Sequence, residues 1–246
     1  MQYTDEMERV ETAGASFWDM WKGTNLRRTE IQMLAWACQV WSGTAMTAYA
    51  VQFFKNAGMS TASAFNFNIL VTSMNIIGCG FEMVAVTRFG RRPMILGGLM
   101  SLGLMLLLIG IFGCLPHTKA VLNGIGACCA VINLLYHFTV GPLTYTVAAE
   151  VPSTRLRVKS IAWGRAFYSI NYNATAQLTP RMVSNIDWNW GAKAAFFWLG
   201  GNIAVTTWAY FRLPETGGRS FTELDILFAN KVSARKFKST VVSGEF

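Results

Sequence analysis

Apolar residues in this chain fall into blocks of about 20, the length at which a helix spans the hydrocarbon of a bilayer. The blocks lie at roughly 30–54, 63–87, 94–114, 120–148, 160–182 and 191–211, with short polar stretches between them. The stretch TRFGRRP after the second block holds Gly90 and three arginines, and it has room only for a tight hairpin. The predicted fold class is all-α: a polytopic membrane protein of six transmembrane helices, with short amphipathic helices at its ends. Residues 1–29 read as a cytoplasmic leader, 30–212 as the transmembrane bundle and 213–246 as a cytoplasmic tail.

Polar residues interrupt these blocks unevenly. In the first, Gln39, Ser42 and Tyr49 recur at offsets that return to one helix face. In the fifth, Tyr168, Ser169, Asn171, Tyr172, Asn173 and Gln177 crowd together. Burying such groups in lipid is costly, so both faces should look into a cavity or onto another helix. The third block is nearly all apolar and reads as a lipid-facing support. The fourth carries Asn133, Tyr136 and His137, the histidine as a packing residue, and then Gly141-Pro142. That pair removes a backbone donor and should break the helix inside the membrane. The sixth opens on Trp188, Trp190, Phe196, Phe197 and Trp198, an aromatic belt at the interface.

Both flanks carry helix-start signals. Ser16 with Asp19 and Ser220 with Glu223 have capping-box spacing. The first should open a short helix with Phe17, Trp18 and Trp21 on its apolar side; a disordered leader over the first dozen residues is the alternative. The second should open an amphipathic helix over about 221–236, with the last ten residues disordered.

Composition narrows the reading further. The hydrophobic share is 52% and the charged share only 14%, against about 25% in soluble domains. A net charge of +8 suits nucleic acid, yet the cations sort by membrane side instead. With both ends in the cytoplasm, 17 of the 21 lysines and arginines lie inside, as the positive-inside rule requires; nucleic acid is not an expected partner. The five cysteines lie in the blocks as small packing residues, and no spacing suits a metal. Asn173-Ala174-Thr175 matches a glycosylation acceptor but falls within a span. With no nucleophile–base pair and no cofactor motif, an enzyme is not expected.

Three separated motifs, RFGRR, GPLTYTVAAEVPSTRLRVKS and LPETGGRSFTELDILF, together with GTNLRR near the start and VSARKF near the end, closely resemble the C-terminal half of the sugar-porter branch of the major facilitator superfamily. The wording is most similar to fungal hexose and α-glucoside (maltose-type) permeases. The resemblance implies transport by alternating access at the plasma membrane, with a hexose or α-glucoside as substrate and no cofactor. It implies polyol-facing positions at Gln39, Tyr49, Tyr145 and Asn171 or Asn173. It also implies a cytoplasmic gate in which Arg91 and Arg92 pair with Glu150, and Arg157 or Arg219 with Glu215, in one conformation only. Proton coupling would rest on an acid of the other half. Thr87 and Gly217 replace an acid and a lysine common in the family, and Val40 and Ala45 replace a glutamine and an asparagine. As half a transporter, the chain is expected to need its missing N-terminal half or a second copy. A sugar sensor and an inert fragment are the alternatives; the short tail disfavours a sensor.

Overall fold

The computed structural model describes residues 16–49, 55, 60–116, 118–184 and 186–240. The first dozen residues, for which a disordered leader is the alternative reading, the end of the first block (50–54) and the last six residues lie outside these. The described residues are helical, with no strand among them. In chain order the helices are α1 (Gly23–Trp41), α2 (Thr44–Ala48), α3 (Thr61–Phe89), α4 (Arg91–Phe112), α5 (Lys119–Phe138), α6 (Val140–Glu150), α7 (Arg157–Val183), α8 (Ala194–Arg212) and α9 (Phe221–Ala229). Among the described residues three stretches are long and apolar enough to cross a membrane: α3, α4 and the α5–α6 run from Lys119 to Glu150.

Two of the blocks read as single spans are broken. The first starts at Gly23, well before residue 30, because its polar opening turns are helical although hydropathy does not mark them. It then stops at Gly43, whose φ of +91° lies in the left-handed region. The side chain of Leu106 fills the space that a Cβ on Gly43 would take, so glycine alone fits this turn. The break between α5 and α6 falls at Thr139, with φ −130° and ψ −83°. Pro142 cannot donate to the Phe138 carbonyl and its ring crowds that turn, so the helix gives way just before the Gly-Pro pair.

The packing has an internal symmetry. α1 packs on α7 and α8, α5 packs on α3 and α4, and α4 packs on α8. Exchanging the first three blocks for the last three leaves this pattern unchanged, as expected of inverted repeats. The core runs through α4, whose Leu99, Leu102, Leu106 and Ile109 are fully buried. The reading of the third block as a lipid-facing support therefore holds for one face only: Met100, Leu104 and Ile111 are exposed, while the opposite stripe packs on α5 and α8. Trp198, assigned to the interfacial belt, is likewise fully buried and lies 5.8 Å from the Trp41 ring. Trp188 and Trp190 remain exposed.

Both capping boxes form. The first opens a 3-10 turn, Phe17–Trp21, whose rings meet Trp163 edge-on at 5.5 Å (Phe17) and 6.0 Å (Trp21). Its Met20 is fully buried beside Leu156. The amide of Ser16 donates to Asp19 and holds that exposed carboxyl below the usual range. The second opens α9, which ends at Ala229 rather than near 236. There the chain turns through Lys231 and re-forms only a 3-10 turn, Ala234–Lys236. Phe237, expected to be disordered, is fully buried. Arg219 reaches the carbonyls of Phe237, Lys238 and Thr240, which holds this stretch in place.

Candidate functional site

α1, α6 and α7 bring the polar residues of the first and fifth blocks to one side of the bundle. Gln39 is buried, and its amide donates to the Gly141 carbonyl at 2.5 Å. Tyr49, just past the Gly43 break, donates through its hydroxyl to the Ala176 carbonyl on α7 at 3.1 Å. Asn171 accepts from Trp41 Nε1 at 3.3 Å and donates to the Phe167 carbonyl. These three side chains therefore tie α1, α2, α6 and α7 together.

The open part of this side is formed by other residues. Tyr145 is 54% exposed, and Tyr172, Ser169 and Asn173 are exposed along α7. Asn173 donates only within its own helix, to the Ser169 carbonyl, which leaves its carbonyl oxygen facing outward. Beneath them lies Trp36, almost fully buried, with Tyr145 at 4.7 Å and Tyr168 at 5.4 Å, both edge-on. Arg165 sits over the rings of Trp36 and Tyr168 at 4.9 and 4.8 Å, and Tyr168 stacks on Tyr172 at 5.8 Å. Positions 165, 168, 169, 172 and 173 lie within one arc of the helix, so α7 presents a continuous aromatic and hydrogen-bonding strip. Arg165 counts among the cytoplasmic-side cations of the positive-inside pattern, and nothing in the hydropathy pattern marks Trp36. The signal available was Trp36, Tyr145 and Tyr168, each at helical spacing from a polar neighbour.

At the other cluster, near the hairpin, the acids take partners that differ in part from those expected. Arg91 pairs with Glu150 at 3.0 Å, both side chains about one-fifth exposed, and Thr216 donates to the second Glu150 oxygen at 2.5 Å. Arg92 does not join them; its guanidinium donates to the Tyr210 carbonyl at 2.8 Å. Glu215 pairs with neither Arg157 nor Arg219. Its carboxylate instead accepts three backbone amides: Arg91 at 3.0 Å, Arg92 at 3.1 Å and Gly217 at 2.9 Å. Glu215 thus caps α4, where the helix dipole favours an anion. Gly90, at φ +81°, supplies the turn, and a Cβ there would stand 2.8 Å from the Glu215 carboxylate.

Arg219 is drawn off by the three tail carbonyls and by Glu223 at 3.8 Å. Arg157 lies over the Phe221 ring at 4.0 Å, and its Nε and one terminal nitrogen are buried with no hydrogen-bond partner among the described residues. Two further ion pairs escaped the sequence reading. Arg28, buried, binds Asp225 of α9 at 2.5 Å. Arg212 binds Glu30, which also accepts from Trp208 Nε1 at 3.2 Å. No group of histidines, cysteines and acids among the described residues is arranged to hold a metal. His137 hydrogen-bonds the Asn133 carbonyl one turn back.

The family profile described as "Sugar (and other) transporter" matches residues 1–228. The chain belongs to this family. It is 38% identical over 244 residues to a general alpha-glucoside permease of Saccharomyces cerevisiae, covering 98% of this chain and 39% of that relative. To a maltose permease of the same yeast it is 36% identical over 240 residues, covering 97% and 39%. The chain therefore spans about two-fifths of the length of these relatives. Among solved structures, the major facilitator proton:xylose symporter XylE bound to 6-bromo-6-deoxy-D-glucose superposes with a TM-score of 0.73 at 17% identity, over 91% of this chain and 46% of that one. A double-tryptophan mutant of XylE gives the same score at 19% identity, over 82% and 43%. These likenesses establish the fold as that of a major facilitator transporter. The chain is thus a multi-pass membrane protein of a sugar-transporter family.

Proposed function

We propose that this chain acts as the C-terminal half of a hexose or α-glucoside porter, crossing the plasma membrane six times with both termini in the cytoplasm. Its sugar-facing surface is the strip on α6 and α7, and the observation that carries this reading is the exposed arc of Tyr145, Tyr172 and Asn173 over a floor of Trp36 and Tyr168. Aromatic faces pack against the apolar faces of a pyranose, while hydroxyl and amide groups bond its rim. Gln39 reaches a sugar hydroxyl by exchanging its bond to the Gly141 carbonyl. That exchange links ligand binding to the α5–α6 break, and a ligand moves the equilibrium only through such a difference between states. Tyr49 and Asn171 hold the wall behind the strip.

The gate lies at the hairpin. The Arg91–Glu150 pair and the Thr216 bond stabilise the conformation seen here, and they part when the halves rock. Arg157, with two buried nitrogens unbonded, is the cation available to recruit an acid in the other conformation. Closing a central cavity requires a second six-helix surface, from an N-terminal half or another copy, and any proton coupling resides there.

The test is uptake of labelled maltose and labelled glucose by transporter-null yeast expressing this chain with an N-terminal six-helix half of an α-glucoside permease. Uptake should appear with the pair, and Tyr145→Phe with Asn173→Ala should weaken apparent sugar affinity about tenfold or more, from two lost bonds of about 1 kcal/mol each. Unchanged affinity in that double variant would refute the assignment of the strip.

A further inference from the structure

At the charged end of the bundle a cleft of about 360 Å³ opens between the start of α1, the end of α8 and the turn that follows α9. Arg27, Arg212 and Lys231 line it, and no carboxylate does. Arg212 is matched by Glu30. Arg27 gives a hydrogen bond to the Val232 carbonyl at 2.7 Å and otherwise lies against the rings of Phe228 and Phe237. Burial, and then the neighbouring Arg212, hold its guanidinium below the usual range. The Lys231 ammonium has no partner among the described residues. Glu30 also acts on Arg27 through space, and Lys231 is exposed to solvent, so Arg27, Arg212 and Lys231 share this one carboxylate and leave the cleft with a net positive field that favours an anion.

The backbone points the same way. After α9 the amide of Lys231 bonds back to the Phe228 carbonyl and that of Val232 to Leu227, the pairing that ends a helix through a left-handed residue. Glycine usually fills that position, yet here it is Lys231, at φ +52°. A side chain kept where it strains the backbone calls for a use, and this one carries its charge into the cleft. Thr24 and Ser233 bring hydroxyls to the same wall. α1 begins there with no side-chain cap and no acid in its first turn, so its free amides add to the positive field.

We propose that this cleft binds a phosphate monoester, and that the bound anion fastens the turn after α9 to α1 and α8. A phosphate monoester carries about −1.5 to −2 charges near neutral pH, which matches the surplus of three cations over the one carboxylate of Glu30, and Arg27 can grip its oxygens in fork geometry. The phosphate group is shared by lipid headgroups and by soluble sugar phosphates. A lipid is favoured by the adjoining Tyr210 and Phe211, both more than half exposed and overlaid by Arg235 at 4.5 and 4.7 Å. Aromatic rings beside cations are found at headgroup depth.

The full chain, purified in detergent, is examined by native mass spectrometry with phosphatidylinositol 4-phosphate, with phosphatidylcholine, and with the first lipid plus millimolar inorganic phosphate or glucose 6-phosphate. One retained phosphatidylinositol 4-phosphate is expected, with none of the phosphatidylcholine. Arg27→Gln with Lys231→Gln should lower its affinity about tenfold or more, while Lys236→Gln, outside the cleft, leaves it unchanged. Displacement of the lipid by either soluble phosphate assigns the site to soluble anions; resistance to both assigns it to the headgroup. Lys231→Gly separates binding from folding, because it should raise thermal stability by relieving the left-handed strain and still weaken anion binding. No anion binding, equal binding by the double variant, or equal loss in Lys236→Gln would overturn the proposal.

Discussion

Glu215→Gln tests the role the structure gives this carboxylate, which is to cap α4 and not to pair with an arginine. The Oε1 atom accepts from Arg91 and Gly217 and Oε2 from Arg92. An amide can keep the first two bonds, but its NH2 then faces the Arg92 N–H, donor against donor. One charge-assisted bond is lost, worth about 1.5–3 kcal/mol. The negative charge at the helix N-terminus goes too, worth about 0.3–2 kcal/mol. The expected destabilisation is therefore about 2–4 kcal/mol, toward the upper end because Glu215 is only 9% exposed. The assay is reversible unfolding in mixed micelles, titrated with dodecyl sulfate and followed by helical circular dichroism. A double-mutant cycle with Arg219→Gln should give a coupling below about 0.5 kcal/mol, because Arg219 is held by tail carbonyls and Glu223. Coupling above about 1 kcal/mol, or a Glu215→Gln variant as stable as the parent, would refute the capping argument.

Three other outcomes follow from the geometry. Glu150→Lys should leave sugar binding measurable but cut turnover severely in paired-half uptake, since it removes the Arg91 and Thr216 contacts at the gate; equal loss of binding and turnover would count against a gate. Gly43→Ala should cost about 2 kcal/mol or more in the same unfolding assay, from the left-handed φ and overlap with Leu106, and Leu106→Ala should recover part of it. At Asp19 the folded pKa lies below the unfolded one, so its contribution is complete above the unfolded value of about 3.9 and is lost as pH falls through the folded value. Tryptophan fluorescence should show residues 17–21 loosening from Trp163 below about pH 4, and Asp19→Asn should remove that pH dependence.

Much of the architecture was legible because lipid imposes a single requirement, a long apolar helix, and α3, α4 and the α5–α6 run meet it plainly. The Gly141-Pro142 break was readable to within a few residues because proline lacks a donor wherever it stands. The Gly43 break was harder: a lone glycine in a polar helix gives no sign of its φ, and Leu106, which forbids a side chain there, is remote in sequence. Hydropathy also hid the first turns of α1, which are helical but polar. At the charged end, the pairing of Arg91 with Glu150 was an implication of the family resemblance, carried by the RFGRR and GPLTYTVAAEVPSTRLRVKS motifs. The cap on α4 could not be read, since Glu215 binds backbone amides, and sequence does not mark which amides are left free. The strip on α7 was seen as costly polarity, whereas its aromatic floor depended on α1 bringing Trp36 beneath Tyr145 and Tyr168.

The contrast between the apolar α3–α6 run and the polar α1 and α7 bears on how the protein is made. Neither α1 nor α7 is apolar enough by itself to count as a membrane crossing, yet they pack against each other. Alone in a bilayer, α7 would hold Asn171, Tyr172, Asn173 and Gln177 against acyl chains, at a cost a free helix has no means to offset. In the proposed six-span topology, α1 finds its partners on α6 and α7 only after about a hundred further residues have been made. In that topology the greasy α3–α6 run can enter the bilayer unaided, whereas α1 and α7 depend on their packing partners to cover their polar faces.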